Sequence, residues 1–160
     1  MFEASLDTNA SFSEKVLIIP ILRAGLAMLE PLKKVIPNTT IGYIGMKRKV
    51  DETTSEIWAD MYYCNLPTDL REYKILMLDI VIATGSSVIP AIDHLIDRGA
   101  DQENISVVSI VAARPGLENL RNSFANINLS TCAIDDMLNE HGYIVPGLGD
   151  AGDRYNGYSN

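Results

Sequence analysis

Ile75-Leu76-Met77-Leu78-Asp79-Ile80-Val81-Ile82-Ala83-Thr84-Gly85-Ser86-Ser87-Val88 is the stretch whose reading decides the fold. Apolar residues run up to a carboxylate, a short apolar link follows, and a cluster of small and hydroxyl residues then opens a new pattern. In that pattern Val88, Ile92, Leu95 and Ile96 share one helical face, with Pro90 tolerable because it falls in the first turn. A continuous apolar strand is one buried on both faces, as in a parallel sheet. The stretch therefore predicts a buried strand, a loop at its C-terminal end and a helix. A helix N-terminus presents unpaired N–H groups and a partial positive charge, which favour a phosphate. Gly85 permits close approach of the backbone, and Thr84, Ser86 and Ser87 add hydroxyl donors. This loop contains neither Gly-Lys-Ser/Thr nor Gly-x-Gly-x-x-Gly, so it is not that of an ATPase or a dinucleotide fingerprint.

Strands and helices alternate on either side of this stretch. Val16 to Leu22 predicts a buried strand, Arg23-Ala24-Gly25 a turn, and the following segment a helix to about Val35, closed by Pro37 and Asn38. Ile41 to Met46 reads as a second strand, Lys47 to Glu56 as a charged mobile loop, and Trp58 to Leu66 as a hairpin arm. Lys74 to Ile80 is the third strand, Ser106 to Ala113 the fourth and Leu129 to Ile134 the fifth, with a short helix from Gly116 to Phe124. A Gly-rich loop from Asp135 completes the chain. The expected fold is α/β, a mainly parallel five-stranded sheet flanked by helices, with a small hairpin arm or hood. Residues 1–14 read as a polar leader or truncated edge and residues 15–160 as one domain. Ligands of such sheets bind beyond the carboxyl ends of the strands. Arg23-Ala24-Gly25, Asp79 to Ser87 and Tyr143 to Arg154 all belong to that end.

The chain carries 13 basic and 21 acidic residues, a net charge of −8, which argues against a general nucleic-acid or membrane-surface binder. A polyanionic substrate must meet a local patch, for which Arg23 and Lys47-Arg48-Lys49 are candidates, the two lysines reading better as a solvated face. Cys64, Cys132, His94 and His141 have no metal-binding spacing, and the thiols suit a reducing, cytoplasmic compartment. The longest apolar run, Val16 to Leu22, is too short to span a bilayer, and the N-terminus lacks the basic start of a signal peptide.

Four motifs carry a family resemblance. Asp79 followed by Thr84-Gly85-x-Ser87 resembles the 5-phosphoribosyl-1-diphosphate (PRPP) loop of type I phosphoribosyltransferases. Leu138-Asn139-Glu140-His141-Gly142-Tyr143-Ile144-Val145-Pro146-Gly147-Leu148-Gly149-Asp150-Ala151-Gly152-Asp153-Arg154 resembles, nearly letter for letter, the uracil-binding loop of the uracil phosphoribosyltransferase family. Pro20 to Leu26 is similar to that family's first phosphate-side loop, and Gly45-Met46 with Arg48 to its flexible arm. The likeness runs from about Val16 to Gly157.

The resemblance implies a type I phosphoribosyltransferase-like fold and a pentosyl transfer of pyrimidine salvage (EC 2.4.2.9): 5-phosphoribose passes from PRPP to N1 of uracil, giving UMP and diphosphate. It implies that Arg23, Asp79 and Asp150 are catalytic. Arg23 and Arg48 would meet phosphate groups of PRPP, and Asp79, Ile80, Val81, Ile82, Ala83, Thr84, Gly85, Ser86 and Ser87 would hold its ribose 5-phosphate and hydroxyls, with Asp150 facing PRPP as well. Ile144, Gly149, Asp150 and Ala151 would hold uracil. Magnesium would arrive with PRPP rather than in a dedicated protein metal site. No nucleic-acid or membrane partner is implied; a homodimer or higher homo-oligomer is, and activation by GTP is left open.

Several positions depart from the family. Ile80-Val81-Ile82 replaces Pro-Met-Leu and keeps the link apolar. Ser86 replaces a glycine, so its Cβ restricts φ or crowds the phosphate while its hydroxyl adds a donor. Lys47 stands where an aromatic residue is usual. Relatives carry a longer N-terminal segment that residues 1–14 do not resemble, which reads as a fragment, a truncated product or a divergent subunit. The rival to an active enzyme is a non-catalytic or partner-dependent relative that binds UMP or uracil as a sensor or subunit.

Structural roles are weighed beside these. Arg23 could cap its helix or pair with Glu30, Asp153 and Arg154 could pair with each other, and Asp135-Asp136 reads as a turn. His141 reads as a surface residue, and Trp58, Tyr62 and Tyr63 as packing. Asp79, at the sheet's end, is expected to be solvent-exposed and ionised. Asp150 has little evident structural use in its Gly-flanked loop.

Overall fold

The computed structural model describes residues 14–50 and 57–158. In chain order the elements are β1 (Lys15–Leu22), α1 (Leu26–Val35), β2 (Thr40–Ile41), β3 (Tyr43–Val50), β4 (Ile57–Asn65), β5 (Tyr73–Leu78), β6 (Val81–Ile82), α2 (Val88–Asp97), β7 (Ile105–Ala113), α3 (Arg114–Ser123), β8 (Asn128–Asp135), β9 (Met137–Leu138), β10 (Ile144–Val145) and α4 (Ala151–Tyr155). The leader reading falls on residues outside those described, apart from Glu14, whose carboxylate lies 3.8 Å from Lys74 Nζ.

The expected five parallel positions are present, two of them interrupted. β2 and β3 both pair with β1 on either side of Gly42, while β5 and β6 both pair with β7 on either side of Asp79-Ile80. The lateral order is therefore β2/β3, β1, β5/β6, β7, β8, parallel throughout, with β4 antiparallel on the outer edge of β3. β1 is central and contains Pro20. The alternation along the strand turns position 20 to the same side as Ile18, whose carbonyl accepts from Gly42 N–H at 2.9 Å. The missing N–H of Pro20 thus faces Gly42, and the ladder bond it would donate there is absent at the break between β2 and β3.

Helices α2 and α3 cover one face, burying Val88, Ala91, Ile92, Leu95, Leu117 and Leu120 against Leu17, Ile19, Ile75, Met77, Ile105 and Val107. α2 buries Val88, Ala91, Ile92 and Leu95, so three of the four positions read from the sequence are in the core, Ala91 joins them, and Ile96 is only partly buried. α1 covers the other face over Ile18 and Leu78 through Leu29, with Leu26, Met28 and Leu32 packed around it.

Two expectations are corrected. Lys47 to Val50 continue β3 rather than opening a loop, because each faces a partner on β4, Lys49 opposite Trp58 with its ammonium bonded to Asp60. Residues 51–56 of that expected loop lie outside the described residues. The Gly-rich tail is more ordered than the sequence suggests: β9 and β10 form their own two-stranded antiparallel sheet, and α4 follows. Among the described residues, no helix is long and apolar enough to cross a membrane.

Candidate active site

The carboxyl ends of the parallel strands open into a cleft of about 640 Å³, within the size of small-molecule sites. The loop after β1 contributes Arg23 and Ala24, and the segment after β5 contributes Asp79, Val81, Ile82, Ala83, Thr84, Gly85, Ser86 and Ser87. The tail contributes Gly142, Tyr143, Ile144, Gly149, Asp150, Ala151 and Gly152. The hairpin arm adds Met46, Lys47, Arg48 and Tyr62. Every candidate named above therefore lines one cleft except Lys49, which pairs with Asp60, and Ile80, whose carbonyl is spent accepting from Ile110 and Val111 N–H at 3.1 and 3.0 Å.

The turn before α2 forms as its residue types dictate. Gly85 has φ +84°, and a Cβ there would lie 3.0 Å from Ile89 Cδ1. Thr84 Oγ1 accepts from Ser86 N–H at 3.2 Å, and Asn119 Nδ2 donates to the Thr84 carbonyl at 3.1 Å. Ser87 stands at the N-cap of α2 but makes no side-chain cap bond: the Ile89 N–H goes to the Gly85 carbonyl at 2.9 Å and Pro90 has none to offer, which leaves the Ser87 hydroxyl uncommitted. The only non-glycine residue with positive φ among those described is Asn38, so Ser86 sits in ordinary backbone and the expected restriction on φ does not arise.

Asp79 departs from its expectation. It is only 9% exposed, in the interruption between β5 and β6, and burial pushes its carboxyl up to about 7. Backbone bonds from Val81 and Ile80 oppose that shift without cancelling it. The strand break that frees those N–H groups also holds the carboxylate in the sheet rather than beyond it.

The arginines also differ from their alternatives. Arg23 neither caps α1 nor reaches Glu30; its Nη2 donates to Asp153 Oδ1 at 2.7 Å, and its guanidinium lies 5.3 Å from the Tyr158 ring centre. Glu30 pairs with Lys33 instead. Asp153 is thus bound to Arg23, while Arg154 Nη1 holds the Leu148 carbonyl at 2.7 Å. Arg48 donates to the His141 carbonyl and lies 5.4 Å from the Tyr143 ring centre, so the arm meets the tail loop directly. The peptide bonds Leu22–Arg23 and Val145–Pro146 are cis.

Asp150 has a structural task that the sequence did not reveal: its Oδ1 accepts from Asp153 N–H at 2.8 Å and caps α4. Asp135 and Asp136 are structural as expected, accepting from Gly147 N–H at 3.1 Å and from Arg114 at 2.6 Å. Gly147 has φ +55°, and a Cβ there would lie 2.2 Å from the Ile144 carbonyl oxygen. Ile144 itself is 5% exposed and packs with Val111 and Ala113.

Tyr62 was read as packing, yet it lines the cleft while 56% exposed. Gly45 opposes Tyr63 and Met46 opposes Met61, leaving Tyr62 as the extra residue of a β-bulge that turns its ring over Gly45. The glycine opposite two consecutive tyrosines was the available signal. Lys47 also lines the cleft rather than forming a purely solvated face, and with Tyr143 it was not selected from the sequence.

Asp79 and Asp150 are the carboxylates of the cleft, and no group of three His, Cys, Asp or Glu side chains is arranged for a metal among the described residues. That donor set fits Mg²⁺, which commonly binds through one or two carboxylates together with substrate phosphates and water.

The sequence matches the uracil phosphoribosyltransferase family profile over residues 3–157. It is 42% identical over 151 residues to a uracil phosphoribosyltransferase of Desulfitobacterium hafniense, covering 94% of this chain and 69% of that protein. It is 46% identical over 141 residues to a uracil phosphoribosyltransferase of Lactococcus lactis, covering 88% of this chain and 65% of that protein. The chain thus spans about two thirds of the length of these curated relatives. A solved Aquifex aeolicus structure superposes with a TM-score of 0.78 at 35% identity, covering 88% of this chain and 64% of the other. A purine phosphoribosyltransferase from Pyrococcus horikoshii, at 15% identity and TM-score 0.57 over 76% of this chain and 72% of its own, shares the fold.

Proposed function

Because this chain belongs to the uracil phosphoribosyltransferase family, we propose that it transfers 5-phosphoribose from PRPP to N1 of uracil, releasing UMP and diphosphate. The observation that carries the reading is the meeting of Arg23, the Thr84–Ser87 turn and the Gly149–Ala151 backbone in one cleft. These are an anion-binding arginine, a phosphate-sized helix entrance and a flat-base surface.

Loss of diphosphate leaves oxocarbenium character on the ribose, so placement and charge matter more than any covalent intermediate. Thr84, Gly85, Ser86 and Ser87 hold the 5-phosphate with N–H and hydroxyl donors at the start of α2. Arg23 and Arg48 take up charge on the diphosphate side, where a guanidinium fork can bind two oxygens at once. Asp79, ionised, accepts from ribose hydroxyls and favours a cationic sugar. Asp150 joins the two substrates, its backbone with Gly149 and Ala151 against the base and its carboxylate toward PRPP. Mg²⁺ entering with the diphosphate supplies further neutralisation of the leaving group, and Asp79 and Asp150 are the residues that would hold it or its waters. Ile144 gives the base an apolar wall. A fixed row of backbone donors and acceptors selects uracil over cytosine, whose position-4 group and ring nitrogen invert that polarity, each mismatch costing about 1–3 kcal/mol. Closure of the arm over PRPP excludes water that would otherwise capture the sugar.

The enzyme is placed in the cytoplasm, with unpaired Cys64 and Cys132 suiting a reducing compartment, and is taken to act as a dimer or higher homo-oligomer; activation by GTP stays an open part of the proposal. No observation favours the non-catalytic alternative. The test is product formation from PRPP and Mg²⁺ with uracil, cytosine, hypoxanthine or orotate. UMP should exceed every other product by about 10⁴-fold, the scale of discrimination by a site whose buried polar groups the wrong base leaves unpaired. Equal turnover with a purine base would overturn the assignment.

A further inference from the structure

Outside the cleft, one nucleophile has been given company. Cys64 near the end of β4 lies with its Sγ 3.4 Å from His94 Nε2 on α2. Arg98, one turn further along α2, brings Nη1 to 3.9 Å from the same sulfur while its Nη2 donates to the Pro67 carbonyl at 3.3 Å. The guanidinium is thereby fixed beside the thiol. Cys64 is half-buried against the main core, His94 is half-buried and Arg98 is exposed, so the cluster sits at the margin of the core. Cys132 provides an internal contrast: it is exposed on β8 and has no polar partner among the described residues.

We propose that Cys64, His94 and Arg98 form a thiol-modification site for small anionic disulfides of the glutathione type. An imidazole in contact with a thiol can take its proton as the sulfur attacks, and a neighbouring guanidinium attracts a carboxylate-bearing reagent. The Cys64 sulfur attacks one sulfur of the disulfide as its proton passes to His94 Nε2. The reagent's S–S bond breaks, the departing thiolate takes the proton back and leaves as a free thiol, and Cys64 keeps a mixed disulfide. The exchange consumes one disulfide and makes one, with no further oxidant. Its position matters because Cys64 pairs across the arm with Ile44, and the arm rests here on the helix that begins at the Thr84–Ser87 turn.

The test needs no enzymatic activity, so it stands or falls apart from the proposed reaction. Single-thiol proteins Cys132→Ser and Cys64→Ser are incubated with glutathione disulfide, and adduct formation is followed by intact mass. Exposure alone would make Cys132 the faster thiol. The proposal expects Cys64 to react at least ~10-fold faster, and His94→Gln to bring its rate down to that of Cys132. Arg98→Gln, a change on the helix surface, should slow glutathione disulfide more than neutral hydroxyethyl disulfide. Faster reaction at Cys132, or a Cys64 rate untouched by both substitutions, overturns it.

Discussion

Arg23 and Asp153 stand 130 positions apart in the chain, and their side chains meet at 2.7 Å, joining the loop after β1 to the short helix α4. The ion pair ties the β1 side of the cleft to the tail, the two sides that the proposed reaction gives to phosphate and to base. A diphosphate offered to Arg23 competes with Asp153 for the same guanidinium.

Asp153→Asn should therefore change kinetics more than stability. The pair is partly exposed, 48% at Arg23 and 23% at Asp153, and such pairs contribute up to about 1 kcal/mol. The KM for uracil should rise severalfold as α4 loses its anchor. Arg23→Lys, which keeps the charge but loses the fork, should lower kcat/KM for PRPP by ~10-fold or more. Initial rates with each substrate varied in turn separate the two; identical effects on both substrates would contradict the division.

Asp79 supplies a pH signature. Its carboxyl titrates at about 7, so the ionised form that the mechanism uses is depleted below neutrality. kcat/KM for PRPP should rise from pH 6 to 8 and level off. Asp79→Asn should flatten the profile and cost ~10²-fold in rate, the usual scale for one well-placed electrostatic group. Because folding raises this pKa above the ordinary carboxylate value of 3.8, the contribution of Asp79 to stability is fully present below about pH 4. It is lost as pH climbs through about 7. The Asn variant should accordingly melt higher than wild type above pH 7 and show no such gain below pH 4. Parallel thermal curves at all pH values would show that the carboxyl is not perturbed.

Asp150→Asn and Asp150→Ala should behave differently. The Asn oxygen can still accept from Asp153 N–H and cap α4, so uracil affinity should persist while the single-turnover rate falls by ~10²-fold. Ala removes charge and cap together, costs about 1 kcal/mol, and should lose uracil binding too. Binding titrations beside single-turnover rates decide it, and loss of uracil affinity in the Asn variant with normal chemistry would reverse the assigned roles.

Gly147→Ala probes the tail loop alone. Its Cβ would overlap the Ile144 carbonyl at 2.2 Å in a left-handed residue, so the loop must move. Uracil should no longer saturate, while PRPP should still protect the protein in thermal melts. Retained uracil saturation would show that the loop has another conformation open to it.

The parallel order was legible because Val16 to Leu22, Ile75 to Leu78 and Ser106 to Ala113 are apolar runs buried on both faces, separated by helix-spaced stretches. What escaped was the interruption of strands. Nothing in Leu78-Asp79-Ile80 signals that the chain breaks its ladder there and draws the carboxylate inward, since this depends on the partner β7. The same holds for Lys47 to Lys49, whose charges suggest a loop until pairing with β4 keeps them in a strand. Arg23–Asp153 and Arg48–His141 could not be read at all, because each joins segments brought together only by the complete sheet.

The small sheet of β9 and β10 shares no ladder with the main sheet, yet the Gly147–Asp135, Arg48–His141 and Arg23–Asp153 bonds and the packing of Ile144 on Val111 and Ala113 fasten residues 137–155 to it. A replacement segment between Asp136 and Asn156 must therefore supply its own partners for Asp135, Arg48 and Arg23 and an apolar residue at position 144. Under the proposed reaction, base preference can diverge by loop grafting where these anchors are kept.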